Sequence, residues 1–131
     1  MTALSFAFTK IVVADLDASE AFYTRALGLS RVTYIEFGEG AGQLQEVVLV
    51  APNGAPGGAQ LSLVRYPNKP VPAPGETVIG FMVDDVESTA AAMVEAGARI
   101  TVPVQEVPEH RLKLAFAVDP DGHTIEIIQT D

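Results

Sequence analysis

A stretch of this chain is written twice, 70 positions apart, and that repeat limits the fold more than any other feature. Ile11–Ala26, IVVADLDASEAFYTRA, lies over Phe81–Ala96, FMVDDVESTAAAMVEA. Val13 falls on Val83, Asp15 on Asp85, Leu16 on Val86, Ala21 on Ala91 and Ala26 on Ala96. Each copy is followed by a glycine, Gly28 or Gly97, one position out of step. In both copies the patterning changes from strand-like to helix-like at the aspartates, so one local architecture is encoded twice.

In the first copy Asp17 is placed to cap the helix, and Glu20, three residues on, completes a capping-box pattern. Ala18, Ala21, Phe22 and Ala26 then share one helical face, as Val86, Ala90, Met93 and Val94 do in the second copy. Glycine just past each helix suits a left-handed C-terminal cap. Three strand-like runs follow each helix: Arg31–Phe37, Glu46–Ala51 and Gln60–Tyr66, then Arg99–Val104, Leu112–Val118 and Thr124–Gln129. The turn-rich segments GEGAG and PNGAPGG divide the first set, and Asp121-Gly122 turns the chain into the last strand. Pro67–Glu76, PNKPVPAPGE, holds four prolines in ten residues and reads as a stiff connector. The predicted class is α+β: one domain over 1–131, with a βαβββ module at 5–66, the linker at 67–76 and a second βαβββ module at 77–131.

With 48% hydrophobic and 19% charged residues, the chain can bury an ordinary globular core. Its formal charge of −9 disfavours nonspecific binding to nucleic acid or anionic membrane. The absence of cysteine excludes disulfides, thiolate metal sites and cysteine nucleophiles. MTALSFAFTKIVVADLD lacks the basic start and apolar run of a signal peptide, and no segment approaches the ~18 apolar residues of a membrane span. A cytoplasmic protein is the default expectation. There is no GxSxG, P-loop, dinucleotide fingerprint or HExxH.

The tandem, opened by VVADLDASEAFYTRALGL and closed by DPDGHTIEI, resembles the vicinal oxygen chelate superfamily of glyoxalases, bleomycin-resistance proteins and extradiol dioxygenases. The likeness covers nearly the whole chain. It implies two modules whose sheets form a curved, incomplete barrel, small molecules held in the concave face, and a homodimer. It also implies a divalent metal held by His, Glu, His and Glu, one from each of four strands, with Gln an occasional substitute. Carried onto this chain, those positions are Phe8, Ser62, Val78 and Glu126. Hard cations need anionic oxygens or imidazoles, and only Glu126 qualifies. A shift of one residue brings Ala7, Thr9, Thr77 or Ile79, which are no better. The expectation is therefore no metal and no cofactor.

Strand alternation extends that face. Phe8 brings Lys10 and Val12, Ser62 brings Gln60 and Val64, Val78 brings Gly80 and Met82, and Glu126 brings Thr124 and Ile128. These describe a mostly apolar small-molecule pocket with a few polar groups. Gly80 either lets a ligand approach the backbone or marks a bulge. Glu126 among apolar neighbours suits a general acid or base, and Lys10, if it reaches Glu126, would supply an ammonium for an oxyanion. Otherwise Lys10 snorkels to the rim and Glu126 is simply hydrogen-bonded. His110, in VPEHRLKL, is either a third proton-transfer group on a loop or a solvated side chain. His123 reads as surface, Arg65 points away from the pocket, and the facing of Tyr34, Glu46 and Tyr66 is open.

Two functions fit. One is a metal-independent lyase or isomerase acting on a small, apolar carbonyl metabolite through Glu126 with Lys10 or His110. The other is a binding protein that sequesters a drug or metabolite, as the bleomycin-resistance branch does. A metalloenzyme with relocated ligands such as Glu46, His110 and Glu126 is a third.

Overall fold

A parallel pair of strands cannot be closed by a hairpin; it needs a long crossover, usually a helix. Each repeat is built around such a pair. The computed structural model describes residues 1–52 and 59–131. In it the first copy runs β1 (Phe8–Val12), α1 (Leu16–Leu27), β2 (Ser30–Phe37), β3 (Leu44–Val50) and β4 (Gln60–Arg65). The second runs β5 (Val78–Met82), α2 (Val86–Glu95), β6 (Arg99–Val107), β7 (Leu112–Val118) and β8 (Thr124–Thr130). The sheets have the orders β1-β4-β3-β2 and β5-β8-β7-β6, with the first strand of each parallel to the last. Neither sheet closes on itself, and the class is α+β with two tandem βαβββ modules, as the repeat predicts. The compact units are Met1–Thr24 with Gly28–Pro72, and Arg25–Leu27 with Ala73–Asp131. The turn expected at PNGAPGG lies, beyond Pro52, outside the described residues.

Both helices are capped by the aspartates that the repeat superimposes. Asp15 accepts from the Ala18 N–H and Asp85 from the Ser88 N–H, each at 3.0 Å. The cap of α1 is thus two residues earlier than the capping-box pattern suggests. Glu20 instead receives a bidentate pair from Arg31, so no reciprocal box forms. Shifting the start also rotates the buried face: Ser19, Phe22, Tyr23 and Ala26 are buried, whereas Ala18 is exposed. In α2, Val86, Ala90 and Met93 are buried as expected, while Val94 is exposed. Gly28 and Gly97 do take positive φ after their helices.

Strand alternation builds each core. In the first sheet Ile11, Val47, Leu49, Leu61 and Leu63 are buried, and in the second Ala115, Ala117, Ile125 and Ile127. β6 is an edge strand that tolerates Pro103 beside a register irregularity. The turn into β8 is held from inside. Asp119, 4% exposed, accepts from the Asp121 and His123 N–H groups at 2.9 Å, with the His123 ring Nδ1 3.0 Å from its other oxygen. His123 is therefore not a surface residue; the loop folds its ring back onto Asp119. Among the described residues, no helix is long and apolar enough to cross a membrane.

These caps can be weighed. Asp119→Ala strands two N–H donors at a buried turn and should cost about 2–4 kcal/mol, against about 1 kcal/mol for Asp15→Ala. Urea denaturation measures both, and equal costs would contradict the buried lock. The Ser88 N–H lowers the Asp85 carboxyl pKa. Its contribution is complete at neutral pH and is lost as pH falls through that lowered value, so Ser88 amide protection should drop on acidification.

Candidate functional site

On the face of the first sheet that carries the even-numbered residues of β1, Lys10 lies level with Ser62. Glu46 of β3 lies level with Val64. β4 runs between β1 and β3, so the two charged residues flank it, about 12 Å apart at the backbone. The lysine is long enough to cross: its Nζ donates to Glu46 Oε1 at 3.1 Å. The carboxylate is the buried member, with 8% of its side chain exposed, and Lys10 retains 40%. The ammonium also lies 5.6 Å from the centre of the Phe8 ring, within cation–π range. Beneath the pair, Ser62 and Val64 are buried; Val12 and Gln60 are half-buried and Phe8 is exposed.

This is the partner that sequence reasoning missed. The hydrogen-bond partner of Lys10 is Glu46, whereas the sequence reading offers it to Glu126. The available signal was a carboxylate inside LQEVVLV, a run that otherwise buries Val47, Val48 and Leu49. A carboxylate there calls for a cation.

On the corresponding face of the second sheet, Glu126 of β8 pairs with Gly80 on one side and Phe116 on the other. The register runs unbroken through Ile79, Gly80 and Phe81, so Gly80 marks no bulge. A Cβ built at Gly80 would meet nothing within 4 Å, which leaves open space beside the carboxylate. Glu126 is half-buried and has no hydrogen bond or ion pair among the described residues. Thr124 and Ile128 are half-buried along the same strand, and Val78 and Met82 are exposed on β5.

His110 is not brought to this group. It is exposed in the tight turn Pro108–His110 between β6 and β7, where Leu112 pairs with Thr130. That is four residues along β8 from Glu126, roughly 13 Å at strand spacing. Arg65, as expected, faces the other way and donates to Gln45. Tyr34 donates to Glu36, which raises its pKa, and Lys69 lies over the Tyr66 ring. A crevice of about 520 Å³ by the start of α1 is lined by Asp15, Asp17, Arg31, Tyr34, Gln45 and Arg65 among others, none of them among the predicted site residues. Its guanidinium and phenol groups are already engaged by Glu20, Gln45 and Glu36.

The positions that would hold a divalent metal do not fit one. Phe8 and Val78 carry no donor atom, and the Ser62 hydroxyl is a poor ligand. Asp119, Asp121 and His123 bring donor atoms within 4.8 Å of one another. The Asp119 carboxylate there is committed to closing the turn.

A family model described as Glyoxalase/Bleomycin resistance protein/Dioxygenase superfamily matches residues 5–127. A probable lactoylglutathione lyase of Vibrio parahaemolyticus is 31% identical over 125 residues, covering 92% of this chain and 87% of the relative. A probable lactoylglutathione lyase of Vibrio cholerae is 30% identical over 125 residues, covering the same shares of each chain. A crystal structure of a glyoxalase family protein from Bacillus cereus superposes with a TM-score of 0.80 at 20% identity, covering 98% of this chain and 95% of that one.

The Lys10–Glu46 pair has a testable energetic signature. Lys10→Met leaves a buried carboxylate without its cation and should cost about 1–3 kcal/mol. Adding Glu46→Leu should regain most of that loss, because an apolar pair serves a buried position at least as well as an ionic one. Urea denaturation of the single and double variants makes the comparison; a double variant no more stable than Lys10→Met would show that the ion pair itself is needed.

Proposed function

The chain belongs to the glyoxalase/bleomycin resistance protein/dioxygenase superfamily, and we propose that it is a metal-independent lyase or isomerase acting on a small, largely apolar carbonyl compound. The observation that carries this reading is Glu126, a half-buried carboxylate on an open sheet face with no internal partner among the described residues. Elsewhere the fold commits its least accessible carboxylates, Glu46 and Asp119, to hydrogen bonds. Glu126 is left available for proton transfer. As carboxylate it takes the proton from the carbon beside a carbonyl, and the C–H electron pair moves onto the carbonyl oxygen. The protonated acid then returns the proton to that carbon or to the far end of a conjugated double bond, or assists departure of a leaving group from the adjacent carbon. The open space over Gly80 admits the substrate's reacting carbon, and Phe116, Ile128 and Val78 supply an apolar surface around it. The lyase names of the two Vibrio relatives support this reaction class.

A second reading, sequestration of a ligand without chemistry, is favoured by large exposed apolar side chains on the first strand of each sheet, Phe8 of β1 at 51% and Met82 of β5 at 65%. Either way the proposal is of a cytoplasmic homodimer, for which sedimentation should give twice the chain mass of 13.8 kDa.

Solvent deuterium exchange separates the readings. The wild type should wash deuterium into the carbon beside the carbonyl of a bound ketone or aldehyde. Glu126→Gln should slow that exchange by roughly 100-fold or more while affinity changes little. Binding without exchange in the wild type would favour sequestration, and unchanged exchange in the variant would remove Glu126 from the chemistry. A stoichiometric metal in protein purified without chelators would contradict the metal-independent mechanism.

A further inference from the structure

Proton transfer at Glu126 makes no use of the charged pair on the first sheet. Stability alone does not require that pair, since replacing a buried ion pair by apolar residues of the same volume is often neutral or stabilising. Its asymmetry is informative. The acid is almost wholly buried and the base is well exposed, so Glu46 acts as the mount and the Lys10 ammonium is what a ligand meets. An ammonium has three N–H donors. Glu46 Oε1 takes one, and Lys10 makes no other hydrogen bond among the described residues. The Phe8 ring restricts the ammonium from one side, and Val12 and Val64 give the surrounding face an apolar floor.

From this geometry we infer a ligand-binding site on the open face of the first sheet, where the Lys10 ammonium, aimed by Glu46, donates to a neutral carbonyl oxygen of a small apolar compound. Charge decides the ligand class. Glu46 already neutralises Lys10, so a ligand carboxylate would approach a buried anion with no net positive charge to attract it. A carbonyl oxygen accepts the same hydrogen bond without that repulsion. Lys10 is then the binding group, and Glu46 is a positioning and specificity-determining residue that touches the ligand only through Lys10. The site agrees with a carbonyl substrate but does not depend on chemistry at Glu126.

The test uses two probes of nearly the same shape, benzylacetone and its carboxylate isostere hydrocinnamate, with the Lys10 side-chain NMR signal as the readout. Wild-type protein should show a saturable Lys10 shift with the ketone and roughly tenfold weaker binding of the carboxylate. Glu46→Gln, which keeps the shape and leaves the cation uncompensated, should reverse that order. A merely structural ion pair would change stability in this variant and leave the order alone. Glu46→Asp, which restores the anion one methylene shorter, should return the preference to the ketone. If neither variant folds, the wild-type titration still decides. No Lys10 response to the ketone, or tighter binding of the carboxylate, overturns the inference, as does an unchanged order in Glu46→Gln.

Discussion

Laying the first strand of each module parallel beside its last is the constraint from which the rest follows. It forces a helical crossover between the first and second strands, which is why an aspartate cap recurs at Asp15 and Asp85. It also makes the last strand a central one, with neighbours on both sides. β4 thereby stands between Lys10 and Glu46, and β8 holds Glu126 between Gly80 and Phe116. The chemistry of both faces is thus a product of strand order.

The two modules share this frame but not their polar groups. The first has a carboxylate sunk into an apolar strand and neutralised by a lysine reaching across its neighbour. The second has a carboxylate without such a cation, in a strand whose start is pinned by Asp119. Caps and cores are kept in duplicate because each module must solve the same folding problem. The faces carry no such obligation and have diverged. Of Phe8, Ser62, Val78 and Glu126, only Glu126 carries a charged side chain, and the ammonium at Lys10 is the only other such group on the open faces of β1, β4, β5 and β8.

Much of this was legible in the sequence because it depends on local pattern. The repeat gives element order, and alternation gives facing: Ile11 inside and Lys10 outside follow from period two alone. Asp17 was a plausible cap by the box pattern, but Glu20 had a better partner in Arg31, eleven residues away and invisible to a local rule. The Lys10–Glu46 pair joins residues 36 apart, on strands that are not even adjacent in their sheet. Finding it requires the register of three strands at once. His123 was misjudged for a similar reason, since a histidine after a turn looks solvated unless Asp119 is known to point inward.

Gly80 has a meaning beyond leaving room. Its backbone lies outside the left-handed region, so nothing conformational demands glycine there, and an added side chain would meet no neighbour. Position 80 is therefore an addressable port, one strand away from Glu126. Side chains of increasing length placed there form a molecular ruler: the size at which function first fails reports the depth of whatever normally lies against that carboxylate.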